Sequence, residues 1–118
     1  MYLDKHNGRK LVKKFLAGMR GFRFGQVYFI SCNLDRYPSV FFDLGGYYFE
    51  IPASSMVRDF SDYGYLFCDL GLRFEKGDEW LFGDTLFRSY YSVWDEENGR
   101  IGLARRKTGD ALVDPYKV

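Results

Sequence analysis

The strongest constraint on this chain is a pair of aromatic and β-branched runs that double back at turns needing glycine. Val40–Leu44 is followed by Gly45-Gly46 and then by Tyr47–Ile51, with Pro52 closing the second run. Residues 90–94 lead in the same way through Asn98-Gly99 into residues 100–104. Tight hairpin turns put positive φ on their central residues, which glycine and asparagine tolerate. Both segments are therefore predicted as β-hairpins. Val27–Ser31 and residues 65–69 and 72–74 are predicted as further strands. The apolar material is unusually aromatic, with 12 Phe, 10 Tyr and 2 Trp, which excludes intrinsic disorder. Thirteen Gly against three Pro suits a turn-rich β protein. The 118 residues fit one domain of the usual size, about 100–150 residues. No internal repeat or linker divides them, so the expectation is a mostly β unit with short helices.

Charge is unevenly spread. Residues 1–25 carry seven Lys or Arg against one acid, Asp4, whereas the remaining 93 residues hold ten bases and fifteen acids. Leu11, Val12, Phe15, Leu16 and Met19 fall on one helical stripe with lysines beside it. Asp4 or Asn7 is placed to cap the start, and Gly18 and Gly21 punctuate the end. Three readings fit. One is a surface helix packing its stripe on the domain. The others are a membrane-surface or partner-binding helix and a cleavable transit peptide. The absence of an apolar core in this segment excludes a secretory signal within it, and no apolar stretch is long enough to cross a membrane as a helix. The chain divides into a basic amphipathic helix segment over 1–25, a β domain over 26–104 and a polar tail over 105–118 ordered by docking.

The usual catalytic devices are missing. His6 is the only histidine, and no Ser or Cys lies in a nucleophile context. One His with two Cys 36 positions apart has no zinc spacing, so no metal is expected. There is no phosphate-cradling glycine pattern, and no cofactor or nucleic-acid partner is expected. The acidic pairs Asp78-Glu79 and Asp95-Glu96-Glu97 read as solvated turn residues. Cys32 and Cys68 are as readily free as bonded on counting alone. In Trp80-Leu81-Phe82-Gly83-Asp84 an apolar run stops at glycine. Asp84 is then placed to cap a short helix through the N–H groups of Leu86 or Phe87, while Gly83 permits close backbone approach or an unusual dihedral.

The stretch from Trp80 to Ala104 resembles the C-terminal lobe of the pepsin-like aspartic proteases. The family carries Trp-apolar-apolar-Gly-Asp, an aromatic helical turn, Tyr-x-Val-Phe-Asp, a turn with Asn, and Arg/Lys-apolar-Gly-apolar-Ala. Here stand Trp80-Leu81-Phe82-Gly83-Asp84, Tyr91-Ser92-Val93-Trp94-Asp95 and Arg100-Ile101-Gly102-Leu103-Ala104. The hairpin bracketed by Pro38 and Pro52 also matches, and the resemblance spans residues 32–104. It implies an incomplete C-terminal lobe of the pepsin-like acid protease fold, a Cys32–Cys68 disulfide, structural roles for Gly83 and Asp84, and a place for Leu81 on the primed side of a substrate cleft.

The family hydrolyses peptides with two aspartates, each in an Asp-Thr/Ser-Gly motif, that share a proton and activate a water. This chain contains neither Asp-Thr-Gly nor Asp-Ser-Gly, since Asp84-Thr85 runs on into Leu86. No catalytic residue is therefore assigned. The resemblance places the chain's start just downstream of the family's C-terminal motif. It further implies that the Leu81-Phe82-Gly83 strand lacks its core neighbour, so that another protein chain or a larger assembly completes the fold. The resulting expectation is a non-catalytic lobe remnant acting as a structural or docking subunit, which Met1 as a true start favours. The alternative is one chain of a split or processed active protease whose partner supplies both aspartates, or part of a longer gene product. A secretory or lysosome/vacuole-like location follows from the family, with an organelle as the alternative from the basic N-terminus.

Overall fold

In the computed structural model, residues 1–16, 21–64, 66–75 and 80–118 are described. Met19, Gly18, Tyr65 and the Asp78-Glu79 pair lie outside them. Along the chain run β1 (Tyr2–Asp4), α1 (Lys5–Leu16), β2 (Gly21–Phe24), β3 (Val27–Ser31), β4 (Val40–Leu44) and β5 (Tyr47–Ile51). Next come α2 (Ala53–Met56), β6 (Val57–Arg58), β7 (Phe67–Leu70), β8 (Arg73–Glu75), α3 (Asp84–Phe87), β9 (Tyr90–Asp95), β10 (Arg100–Arg105) and β11 (Tyr116–Lys117). The chain is thus mostly strand with three short helices among the described residues.

Both glycine-turn hairpins form. β4 and β5 pair antiparallel from Val40↔Ile51 to Leu44↔Tyr47. Their turn places Gly45 and Gly46 at φ 63° and 87°, the two positive values that a two-residue primed turn demands. β9 and β10 pair from Tyr90↔Arg105 to Asp95↔Arg100. In the loop between them Gly99 takes φ 60°. The Asp95 carboxylate holds this loop, accepting from the Asn98 side chain at 2.9 Å and from Arg100 Nε at 2.9 Å. These bonds hold the Asp95 carboxyl below its usual range, the Asn98 side-chain bond most of all.

A four-stranded antiparallel sheet, β2-β3-β7-β6, carries the disulfide, and β1 and β8 form a separate parallel pair. The sequence pattern missed β1, β2 and α2, which are too short to show a period. Cys32 and Cys68 are bonded, with Cα atoms 5.1 Å apart. β3 and β7 are neighbours in register Ile30↔Cys68, so the bond ties the end of β3 to the middle of its partner. The tail lies against the domain. Its β11 adds to β5 through Tyr116↔Tyr48, and Ala111 is buried.

α1 packs its apolar stripe against the domain. Gly8, Val12 and Phe15 are buried at i, i+4 and i+7, with Leu11 and Leu16 partly covered. Phe15 stacks on Tyr37 with ring centroids 5.0 Å apart. Beneath the helix lies the centre of the core, where Leu3, Ile30, Met56, Leu70 and Leu72 are fully buried. Asp4 caps the helix, its Oδ1 accepting from the Asn7 N–H at 3.0 Å.

The disulfide closes a loop of 36 residues. Replacing Cys32 and Cys68 together by alanine is expected to lower stability by about 4 kcal/mol on the chain-entropy model. Urea denaturation of the wild-type and double-variant proteins under oxidising conditions checks this. A midpoint that does not move would refute it.

Candidate functional site

Phe42, on the inward face of β4, organises the apolar side of the molecule. The rings of Trp80 and Phe82 both meet it edge-on, at 5.8 Å and 5.2 Å between centroids. Its cross-strand partner Phe49 packs in turn against Tyr90 at 5.3 Å. Tyr90 is buried, and its hydroxyl donates to the Glu50 carbonyl at 2.7 Å. Burial raises the Tyr90 pKa. Beside this cluster opens an apolar groove of ≈ 500 Å³. Trp80, Leu81 and Phe82 line it from one segment, Leu86 and Phe87 from α3, and Leu44, Gly45 and Phe49 from the first hairpin. Trp94, Ile101 and Leu103 line it from the second. Leu81 stands in this lining and is 54% exposed.

Three expectations for this segment need correction. Asp84 is not the helix cap. Gly83 holds that position, and its carbonyl accepts from the N–H groups of Leu86 at 2.9 Å and Phe87 at 3.1 Å. Asp84 is the first helical residue and makes no capping bond. The cause is a one-residue shift, because the helix begins on the Asp rather than after it. Among the described residues nothing lies within 4 Å of where a Gly83 Cβ would stand, so the expected close approach is not seen there. Residues 81–83 form no strand beyond a single bridge position at Leu81.

Among the described residues the groove lining is apolar, with no acid, base or nucleophile, which suits apolar chain. Buried carboxylates elsewhere serve structure. Asp69 takes Arg58 at 2.6 Å and Arg73 at 3.0 Å. Glu50 accepts from the Leu112 N–H at 3.2 Å, which anchors the tail. Ser55 and Ser89 share a buried hydrogen bond at 3.0 Å, and the Ser55 hydroxyl donates to Asp110 Oδ2 at 3.4 Å. Among the described residues one trio of potential metal ligands converges, Cys32, Asp59 and Cys68, and both its sulfurs are consumed by the disulfide. His6 is exposed on α1. The sequence pattern singled out Leu81 but missed Leu44, Phe87 and Leu103. Those residues converge only when two hairpins distant in sequence meet.

A family model for eukaryotic aspartyl protease matches residues 1–106 of the chain. The chain belongs to this family. Chicken pepsin A is 35% identical over 77 residues, covering 64% of this chain and 21% of that protein. Human gastricsin is 36% identical over 95 residues, covering 75% of this chain and 23% of its own length. Dromedary chymosin is 36% identical over 85 residues, 70% of this chain and 21% of the relative. The chain thus spans about a fifth of the length of the curated relatives it matches. Its strands and short helices are those of a fragment of the pepsin-like fold.

One carboxylate connects α1 to the groove. Asp4 Oδ2 accepts from the Trp80 indole at 2.6 Å and from the Asn7 side chain at 3.1 Å. The Asn7 backbone bond above all, helped by Trp80, holds the Asp4 pKa below its ordinary value. A depressed carboxylate stabilises the fold above its unfolded pKa, and that contribution disappears as pH falls through the lowered value. In a Trp94→Phe background, Trp80 emission is expected to change on acidification with a midpoint below the usual carboxylate range. The change should vanish in Asp4→Asn. An identical titration in that variant would show that another group is responsible.

Proposed function

We propose that this chain is a non-catalytic remnant of the family's C-terminal lobe and serves as a structural or docking subunit of a larger assembly. The observation that carries this reading is the lack of any Asp-Thr-Gly or Asp-Ser-Gly in its 118 residues. Aspartic catalysis needs a pair of carboxylates sharing one proton, and the groove offers none.

The need for another protein chain is read from the second hairpin. Among the described residues, β9 and β10 pair only with each other. A two-stranded ribbon is marginal in water without further cover. Both its faces carry apolar groups, Tyr91 and Val93 on one, Trp94 (64% exposed) and Ile101 (53% exposed) on the other. The radius of gyration, 14.9 Å, exceeds the about 13.5 Å expected of a closed domain of this length. A partner strand or lobe seated on the ribbon would cover these groups. A secretory or lysosome/vacuole-like location belongs to the same reading, supported by the family and by a disulfide suited to oxidising compartments.

The second reading is one chain of a split or processed active protease, with both catalytic aspartates on the partner. The open groove beside Leu81 favours it, because such a groove would take a substrate side chain.

Recovery of the protein with any accompanying chain, intact mass of each, and pepstatin-sensitive peptide cleavage at acidic pH separate the two. The expected result is no such cleavage by the chain or its assembly, and no Asp-Thr/Ser-Gly in the partner. A partner carrying that motif together with cleavage establishes the split protease, and cleavage by this chain alone defeats both readings. Trp94→Glu with Ile101→Glu is expected to weaken the assembly by about tenfold or more, since central apolar anchors dominate interfaces. Unchanged co-purification would place the interface elsewhere.

A further inference from the structure

We infer that the turn end of the β2–β3 hairpin, together with the basic face of α1, docks on an anionic lipid bilayer. Lys5 and Arg9 lie one helical turn apart on α1, and the fold brings Arg23 of β2 beside them. With the Gly25-Gln26 turn these three line a recess of ≈ 220 Å³ that contains no acid among the described residues. Lys10, Lys13 and Lys14 continue the exposed basic surface along the helix, which has no acidic residue at all.

Among the described residues no carboxylate pairs with this charge. Arg58, Arg73, Arg100 and Arg105 each meet a carboxylate. Among the described residues none of the six cations at this end does so. The nearby Asp4 carboxylate is already occupied by Asn7 and Trp80. Such a surface complements a negatively charged one, and the hairpin tip indicates which kind. Phe24 follows Arg23 directly and is 78% exposed at the turn end. An exposed apolar ring at the tip beside a cationic surface suits the headgroup and acyl boundary of a bilayer, whereas a soluble polyanion leaves it in water. Insertion would fall to Phe24 and not to the helix, because Val12 and Phe15 are turned into the core.

The inference does not depend on whether the chain is catalytic, and the vesicle and cleavage assays fail separately. The test is sedimentation of the whole protein, with any accompanying chain, with phosphatidylcholine vesicles with or without phosphatidylserine. Binding only to the phosphatidylserine vesicles is expected, and weaker at higher salt. Arg9→Glu and Arg23→Glu should each reduce partitioning by about fivefold or more. Phe24→Ser should reduce it while leaving the salt dependence intact. All three side chains are exposed, and circular dichroism of the variants verifies that the fold persists. Failure to bind phosphatidylserine vesicles overturns the inference. So does binding that ignores Phe24→Ser and is competed away by heparin or polyglutamate, which would reassign the surface to a soluble polyanion or an acidic protein.

Discussion

The carboxylate of Asp4 ties the start of α1 to the groove wall. One oxygen meets the first free N–H groups of α1, and the other takes the indole of Trp80, 76 residues along the chain. Because Trp80 and Phe82 both lean on Phe42, the placement of the groove wall is tied to the start of the helix. A buried acceptor with three donors is well satisfied, whereas a lost acceptor would leave an indole N–H and a helix terminus without partners. Local capping and long-range packing are thus the same interaction.

Much of the fold is legible in the residues alone. The hairpins at Val40–Ile51 and at residues 90–105 follow from alternation and glycine turns, and the stripe on α1 follows from its period. What stayed hidden was of two kinds. β1, β2 and α2 are three or four residues each, too short to display the period of a pattern, and exist because neighbours supply their hydrogen bonds. The other kind was registration. Asp84 has the chemistry of a cap, yet the backbone turned one residue earlier, and side-chain preference alone does not decide between adjacent positions. The groove was visible only through Leu81, since its remaining walls are assembled by tertiary contact.

Charge and apolar surface divide the molecule in a way that composition hides. The net charge of +1 is what survives when a basic first segment offsets an acidic remainder. In the fold the bases stay together at one end, while the ribbon of β9 and β10 exposes aromatic and aliphatic groups. A fragment of the pepsin-like fold can keep a core around Leu3, Ile30 and Leu70 and still present these unlike surfaces. The proposed assembly takes the apolar surface, and the proposed lipid contact takes the basic one.

The tail has a role that its polarity conceals. β11 lies along β5, the Val118 N–H donates to the Gly46 carbonyl, and Arg105 braces the approach through Asp114 at 2.6 Å. Without it, Tyr-Tyr-Phe-Glu-Ile would present an open row of donors and acceptors with high strand propensity, which is a template for adding foreign strands. The last few residues therefore act as a built-in competitor for that edge. Tyr116 and Lys117 thus cover the part of that edge at Tyr48 and Tyr47, next to the glycine turn.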